Sequence, residues 1–289
     1  MRALWLLFIL YIPFFLQGQD PDKAKKLYDL GRTAFEKKQF EDAEDYFEEA
    51  IDQNDQVADY HYWYGAAMGE IAKDANIMTQ GMMAPKIKEA FEKTVQLDPK
   101  NLEAYWGLVE FYTHAPGFMG GSWQKADETA RTIMKIKKAE GYRALGVVNE
   151  RQDKWSEAET NFMQAYHHDV SYYNHLSNFY IRRKQYDKAF AITEEAIKRN
   201  QEDMLAAYQM GRICAASGQK LDVGESCLIK YLAYQPKADE PRHAAANMRL
   251  AQIKEKKGNK PEAKKFYEAA LKLDPSMKEA KEGLARVRD

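Results

Sequence analysis

Cysteine is nearly missing from this chain: its 289 residues hold two, Cys214 and Cys227. So small a number excludes a disulfide-laced miniprotein and a multi-thiolate zinc centre. One candidate bridge remains, Cys214 to Cys227. Charge of one sign is missing as well. Lys and Arg total 43 against 44 Asp and Glu, a net charge of −1, so there is no basic excess with which to hold nucleic acid. Long apolar runs are missing beyond Ala3 to Leu16, which follows Arg2 and gives way to Gln17, Gly18 and Gln19. That run is shorter than the ~20 residues of a membrane helix, and Pro13 interrupts it. It reads as a signal peptide over residues 1–19. The mature chain, residues 20–289, is then expected without a membrane span, periplasmic or secreted.

Catalytic signatures are missing too. There is no G-x-x-x-x-G-K-[ST], no G-x-S-x-G and no H-E-x-x-H, so nothing marks a phosphate cradle, a serine nucleophile or a metalloprotease site. His167, His168 and His175 form the one local histidine group. They lack acidic or cysteine ligands at metal spacing and read as solvated residues at helix ends. The expectation is a non-enzyme with no cofactor and no metal.

What the chain has is self-similarity. Leu27-x-x-Leu30-Gly31-x-x-Ala34 is followed by Ala43-x-x-x-Phe47-x-x-Ala50. Tyr142-x-x-Leu145-Gly146 leads to Ala158-x-x-x-Phe162-x-x-Ala165, and Leu250-Ala251 leads to Ala263-x-x-x-Tyr267-x-x-Ala270 and Pro275. Apolar residues at spacings of three and four mark amphipathic helices. Small residues recur where paired helices would touch, larger ones where neighbouring pairs would pack. Short polar turns such as KKQF, RQDKW and RRKQY join them. The pattern resembles the tetratricopeptide repeat, a helix–turn–helix unit of ~34 residues. The resemblance implies an all-α, right-handed α-solenoid of about seven hairpins, at 24–57, 58–101, 102–138, 139–169, 170–203, 204–240 and 241–275, with a capping helix over 276–289.

Two units carry extra residues between their helices: most of the first insertion is DANIMTQGMMAP, and the second is HAPGFMGGS. Both are expected as loops on one edge of the solenoid, where Met78, Met82, Met83, Phe118 and Met119 would form a soft apolar surface suited to a partner. Equally, the loops would simply pack on each other. Ser122 is placed to cap the next helix. The chain also resembles a group of exported bacterial tetratricopeptide proteins with an APG…GGS loop here, carried by Ala115, Pro116, Gly117, Gly120, Gly121 and Ser122.

In the tetratricopeptide register the first helix of each repeat lines a concave groove. That places Tyr28, Arg32, Phe35, Tyr62, Trp106, Glu110, His114, Arg143, Asn174, Asn178, Tyr208 and Arg212 along it. Aromatic rings offer broad contact and Asn pairs with peptide backbone, so a protein or peptide partner is expected, in an adaptor or assembly role. The set does not match the carboxylate-clamp pattern of chaperone-binding members of the family. The alternative is a solute- or glycan-binding module that uses the aromatics as a platform. The leader reading predicts a mature N-terminus near Gln19 or Asp20. N-terminal sequencing of the exported protein checks it, and an intact Met1 would remove the basis for soluble export.

Overall fold

The computed structural model describes residues 20–238 and 240–287, so the leader expected over 1–19 lies outside the described residues, apart from its boundary at Asp20. Among the described residues there are fifteen α-helices, two short 3₁₀ turns and no strand. They form two compact units, one ending at Ile136 and the other starting at Lys137.

The first unit holds α1 (Pro21–Glu36), α2 (Phe40–Gln53), α3 (Ala58–Asp74), α4 (Ile77–Leu97), α5 (Leu102–His114) and α6 (Trp123–Ile136). Side chains set where helices begin. Asp20 accepts from the Lys23 amide at 3.0 Å ahead of Pro21, and Asn101 accepts from the Ala104 amide at 2.8 Å, each satisfying a first-turn donor. Consecutive helices pair as α1 with α2, α3 with α4 and α5 with α6. The pairing is set by a ring pressed against glycine. A Cβ at Gly31 would come within 2.6 Å of Phe47, and one at Gly107 within 2.7 Å of Phe91. Phe91 also faces Gly65, so one ring serves two successive hairpins.

The first insertion is not a loop. Residues from Ile77 onward continue into α4, which reaches 21 residues against 14 in α2. Asn76 starts this helix, accepting from the Met78 and Thr79 amides at 3.0 and 3.1 Å. Gln80 then reaches back with Nε2 to the carbonyls of Ala72 and Ala75, both at 3.0 Å, closing the end of α3. Pro85 lies inside α4, where it removes one amide donor and crowds the carbonyl one turn earlier. The second insertion is a loop around a 3₁₀ turn at Gly117–Met119. Gly120 has φ +100°, and a Cβ on Gly121 would overlap the Ala115 carbonyl, so this turn requires both glycines. Ser122 caps α6, accepting from the Lys125 amide at 3.3 Å.

The second unit pairs α7 (Lys138–Arg151) with α8 (Trp155–His168), α9 (Tyr173–Arg182) with α10 (Tyr186–Arg199), α11 (Met204–Ser217) with α12 (Leu221–Leu232) and α13 (His243–Lys256) with α14 (Lys260–Leu273). The last helix, α15 (Lys278–Val287), covers α14. Phe162 lies against Gly146, Leu228 against Gly211 and Tyr267 against Gly283. The core runs through Phe162, Phe179, Ile213, Leu228, Tyr231, Leu250 and Ile253, all buried. Four hairpin turns place a non-glycine residue at positive φ: Lys38 at 61°, Asp153 at 58°, Lys184 at 56° and Lys220 at 48°.

The candidate bridge is absent: Cys214 and Cys227 are free thiols. Cys214 points at Gly224 of α12, one turn ahead of Cys227. Burial pushes its thiol up to about 11 and raises that of Cys227 as well. Thiolate, the reactive form, is therefore scarce at neutral pH and grows as pH rises. Alkylation of unfolded, unreduced protein should label both cysteines, while the native protein labels Cys214 far more slowly; a disulfide-linked peptide in the mass spectrum would contradict this. Gly211→Ala should destabilise the second unit by about 1–3 kcal/mol through overpacking on Leu228. Thermal unfolding by circular dichroism checks it, and adding Leu228→Ala should shrink the further cost of the Gly211 change.

Candidate functional site

The first unit contains a cleft of about 620 Å³ between α3, α4 and α5, closed at one end by the second insertion. Its walls are open because its residues are small. Gly65, Ala66, Gly69 and Ala72 come from α3, Ala84 from α4 and Gly107 from α5. A Cβ at Gly69 would meet nothing within 4 Å, so this position faces free space. The floor is apolar, built from Ile87, Phe91 and Phe111, with Met119 arriving from the 3₁₀ turn. Polar groups stand at the lining as pairs: Lys73 lies 2.5 Å from Glu70, and His114 Nδ1 3.2 Å from Glu110. Near the cleft, α4 and the turn carry large apolar side chains in solvent. Ile77 is 61% exposed, Met78 75%, Met82 65% and Phe118 82%. Met83 and Met119 are half-buried. Of the five residues expected to form one soft surface, Met78, Met82 and Met83 thus stand on a helix, and Phe118 and Met119 on the loop.

The groove residues separate into groups. Tyr28, Arg32, Phe35 and Tyr62 come together around Trp63, which sequence reading passed over. Arg32 lies over the Trp63 ring at 3.9 Å and donates to the Tyr28 hydroxyl at 3.1 Å, while Phe35 and Tyr62 meet the same indole at 5.0 and 5.2 Å. Tyr28 also packs on Tyr60 at 5.1 Å. These rings largely satisfy one another instead of forming an open platform. Glu110 and His114 line the cleft, and Trp106 is half-buried on α5.

In the second unit Arg143 pairs with Glu140 on its own helix. Asn174, Asn178 and Arg212 are brought together with Gln209, which sequence reading did not name. Asn178 Oδ1 accepts from Gln209 Nε2 at 2.6 Å and from Arg212 Nη1, and Gln209 also reaches the Asn174 carbonyl at 3.3 Å. Tyr208 is not a groove residue. It is 5% exposed and packs at 5.2 Å on Tyr231, whose hydroxyl donates to the Pro241 carbonyl at 2.5 Å; the chain between α12 and α13 folds back and removes that face from solvent. His175 departs from expectation too. It is half-buried, and burial with nearby Arg143 lowers its pKa to about 4, whereas His167 and His168 are exposed.

The helix pairs and their ring-on-glycine contacts match known repeats. Tetratricopeptide-repeat profiles fit residues 20–56, 170–202 and 244–277. No curated protein sequence matches the chain. Among solved structures, a tetratricopeptide repeat protein from Parabacteroides merdae is 14% identical, with 93% of this chain and 100% of that one covered and a TM-score of 0.58. Yeast Tom70 is 18% identical, with 95% of this chain and 58% of that one covered and a TM-score of 0.64. At these identities the likeness speaks for the fold, which is an all-α helical-repeat solenoid. Three segments along the chain thus match tetratricopeptide repeats, and helical hairpins fill the stretches between them.

Proposed function

We propose that this protein is an exported, non-catalytic scaffold that holds a protein or peptide partner in the cleft of its first unit. The observation that carries the reading is the cleft itself, an apolar floor opened by small residues, in a unit that also leaves Ile77, Met78, Met82 and Phe118 in water. Four large apolar side chains exposed along one helix and the following insertion are costly to keep in solvent unless something covers them. Methionine is unbranched and polarisable, so it adapts to partners of different shape. Bulky apolar anchors of a partner, the usual hot spots of an interface, find an opening here that the aromatic cluster around Trp63 does not offer. Tetratricopeptide-repeat proteins are generally scaffolds for other proteins, and export is supported by the apolar run after Arg2.

A second reading draws on the volume. About 620 Å³ falls within the range of small-molecule sites, so an apolar solute is the alternative occupant. The glycan form of that alternative loses its basis, because Tyr208 is buried and Tyr28, Phe35 and Tyr62 are taken up in packing.

Gly69→Leu tests both readings without touching the core, since the new side chain enters open space. Affinity capture from the cell envelope should retain a polypeptide on the wild-type protein and lose it on the variant, at unchanged helicity. Partner binding should weaken by about 1–2 kcal/mol or more, the scale of one interface anchor. Equal retention by both proteins would remove the cleft from the function, and retention of a small apolar molecule alone would replace the first reading by the second.

A further inference from the structure

The sulfur donors of the first unit are thioethers, because both cysteines belong to α11 and α12 of the second. Three of the chain's twelve methionines fall within residues 78–83, and Met78 and Met82 keep their side chains in solvent. Local structure orders them. The Asn76 cap starts α4 at Ile77, so Met78 and Met82 stand one turn apart on one face, with Cβ atoms about 5–6 Å apart.

A third methionine reaches the same helix from the second insertion. A Cβ at Gly81 would come within 3.4 Å of the Met119 Cε, so the tip of Met119 rests on the surface that this glycine leaves bare. Met78 lies one turn before Gly81 and one turn before Met82, which makes it a neighbour of both positions. The Met119 sulfur is one bond from its Cε, and unbranched thioethers with three rotatable bonds can close the remaining gap. Met83 lies about 200° round the helix from Gly81 and belongs to another face. Neither segment brings a carboxylate: residues 75–85 and 115–122 hold no Asp or Glu. Hard cations such as magnesium and calcium need oxygen ligands, whereas thioethers select copper(I).

We propose that Met78, Met82 and Met119 form a copper(I) site, three neutral sulfur ligands at the junction of α4 and the 3₁₀ turn. The exposed Met78 and Met82 let the metal enter from solvent, and its binding ties the turn to the helix. The proposal does not rest on a partner in the cleft, for it needs no polypeptide and its test contains none.

The test titrates the purified protein, its methionine methyl groups labelled with carbon-13, with the copper(I)–acetonitrile complex in the absence of oxygen. The methyl resonances of Met78, Met82 and Met119, assigned by single Met→Leu substitutions, should shift together and saturate at one equivalent. Met83 should not move, and zinc(II) should move none of them. Competition with the copper(I) chelator bicinchoninate reads the affinity. Met78→Leu, Met82→Leu or Met119→Leu should each weaken it about tenfold or more, since even changes just outside a metal's ligands cost that much. Met83→Leu should leave it unchanged. Leu replaces Met at similar volume, so the variants keep the fold. Copper uptake with the three methyls unmoved would assign the metal to Cys214 and Cys227 and overturn the site. So would an equal loss in Met83→Leu, or no copper withdrawn from the chelator.

Discussion

The structure depends on one contact repeated along the chain: a large side chain of a second helix pressed into the space that a glycine leaves on the first. Phe47 on Gly31, Phe91 on Gly65, Phe162 on Gly146 and Leu228 on Gly211 are instances of it. Glycine inside a helix costs about 0.5–1 kcal/mol in backbone entropy. Burying a phenyl ring or a leucine contributes about 1.5–3 kcal/mol. The exchange is favourable, and it fixes the distance and register of the hairpins that carry it.

The cleft of the first unit arises where the same device is carried further than packing needs. Gly65 and Gly107 receive Phe91, but Gly69 receives nothing, and with Ala66 and Ala72 it leaves α3 without bulk on this side. The lengthened α4 brings Gln80 to the lining beside Ala84 and Ile87, and the glycine-dependent turn at Gly120 and Gly121 brings Met119 there. Rigid close packing below and unfilled space above are two uses of small side chains. They meet at a single ring.

The sequence discloses the hairpins because their signal is local: apolar spacing and small–large alternation depend only on the periodicity of a helix. It conceals the site where the outcome depends on neighbours. Gly81 and Pro85 in the first insertion look like turn residues, yet the Asn76 cap and the backward reach of Gln80 make the segment helical. Asn-Ile-Met-Thr was a legible cap that composition outweighed. Tyr208 occupies a groove position in the repeat register, but the irregular chain after α12 covers it, and no periodicity announces such a return. The cleft was hidden for another reason. It is defined by side chains that are not there, and its only written trace is the succession Gly65-Ala66-Ala67-Met68-Gly69.

Phe91 has a consequence at the level of descent. Repeat arrays change by gaining and losing whole units, since each unit contacts mainly its neighbours. Here the ring of the second hairpin fills a space on the third, at Gly107, as well as one on its own first helix. Deleting or copying either hairpin alone would leave a phenyl group with half its seat, or a glycine facing an unfilled gap. The second and third hairpins are therefore tied to each other through Phe91 and would be inherited together.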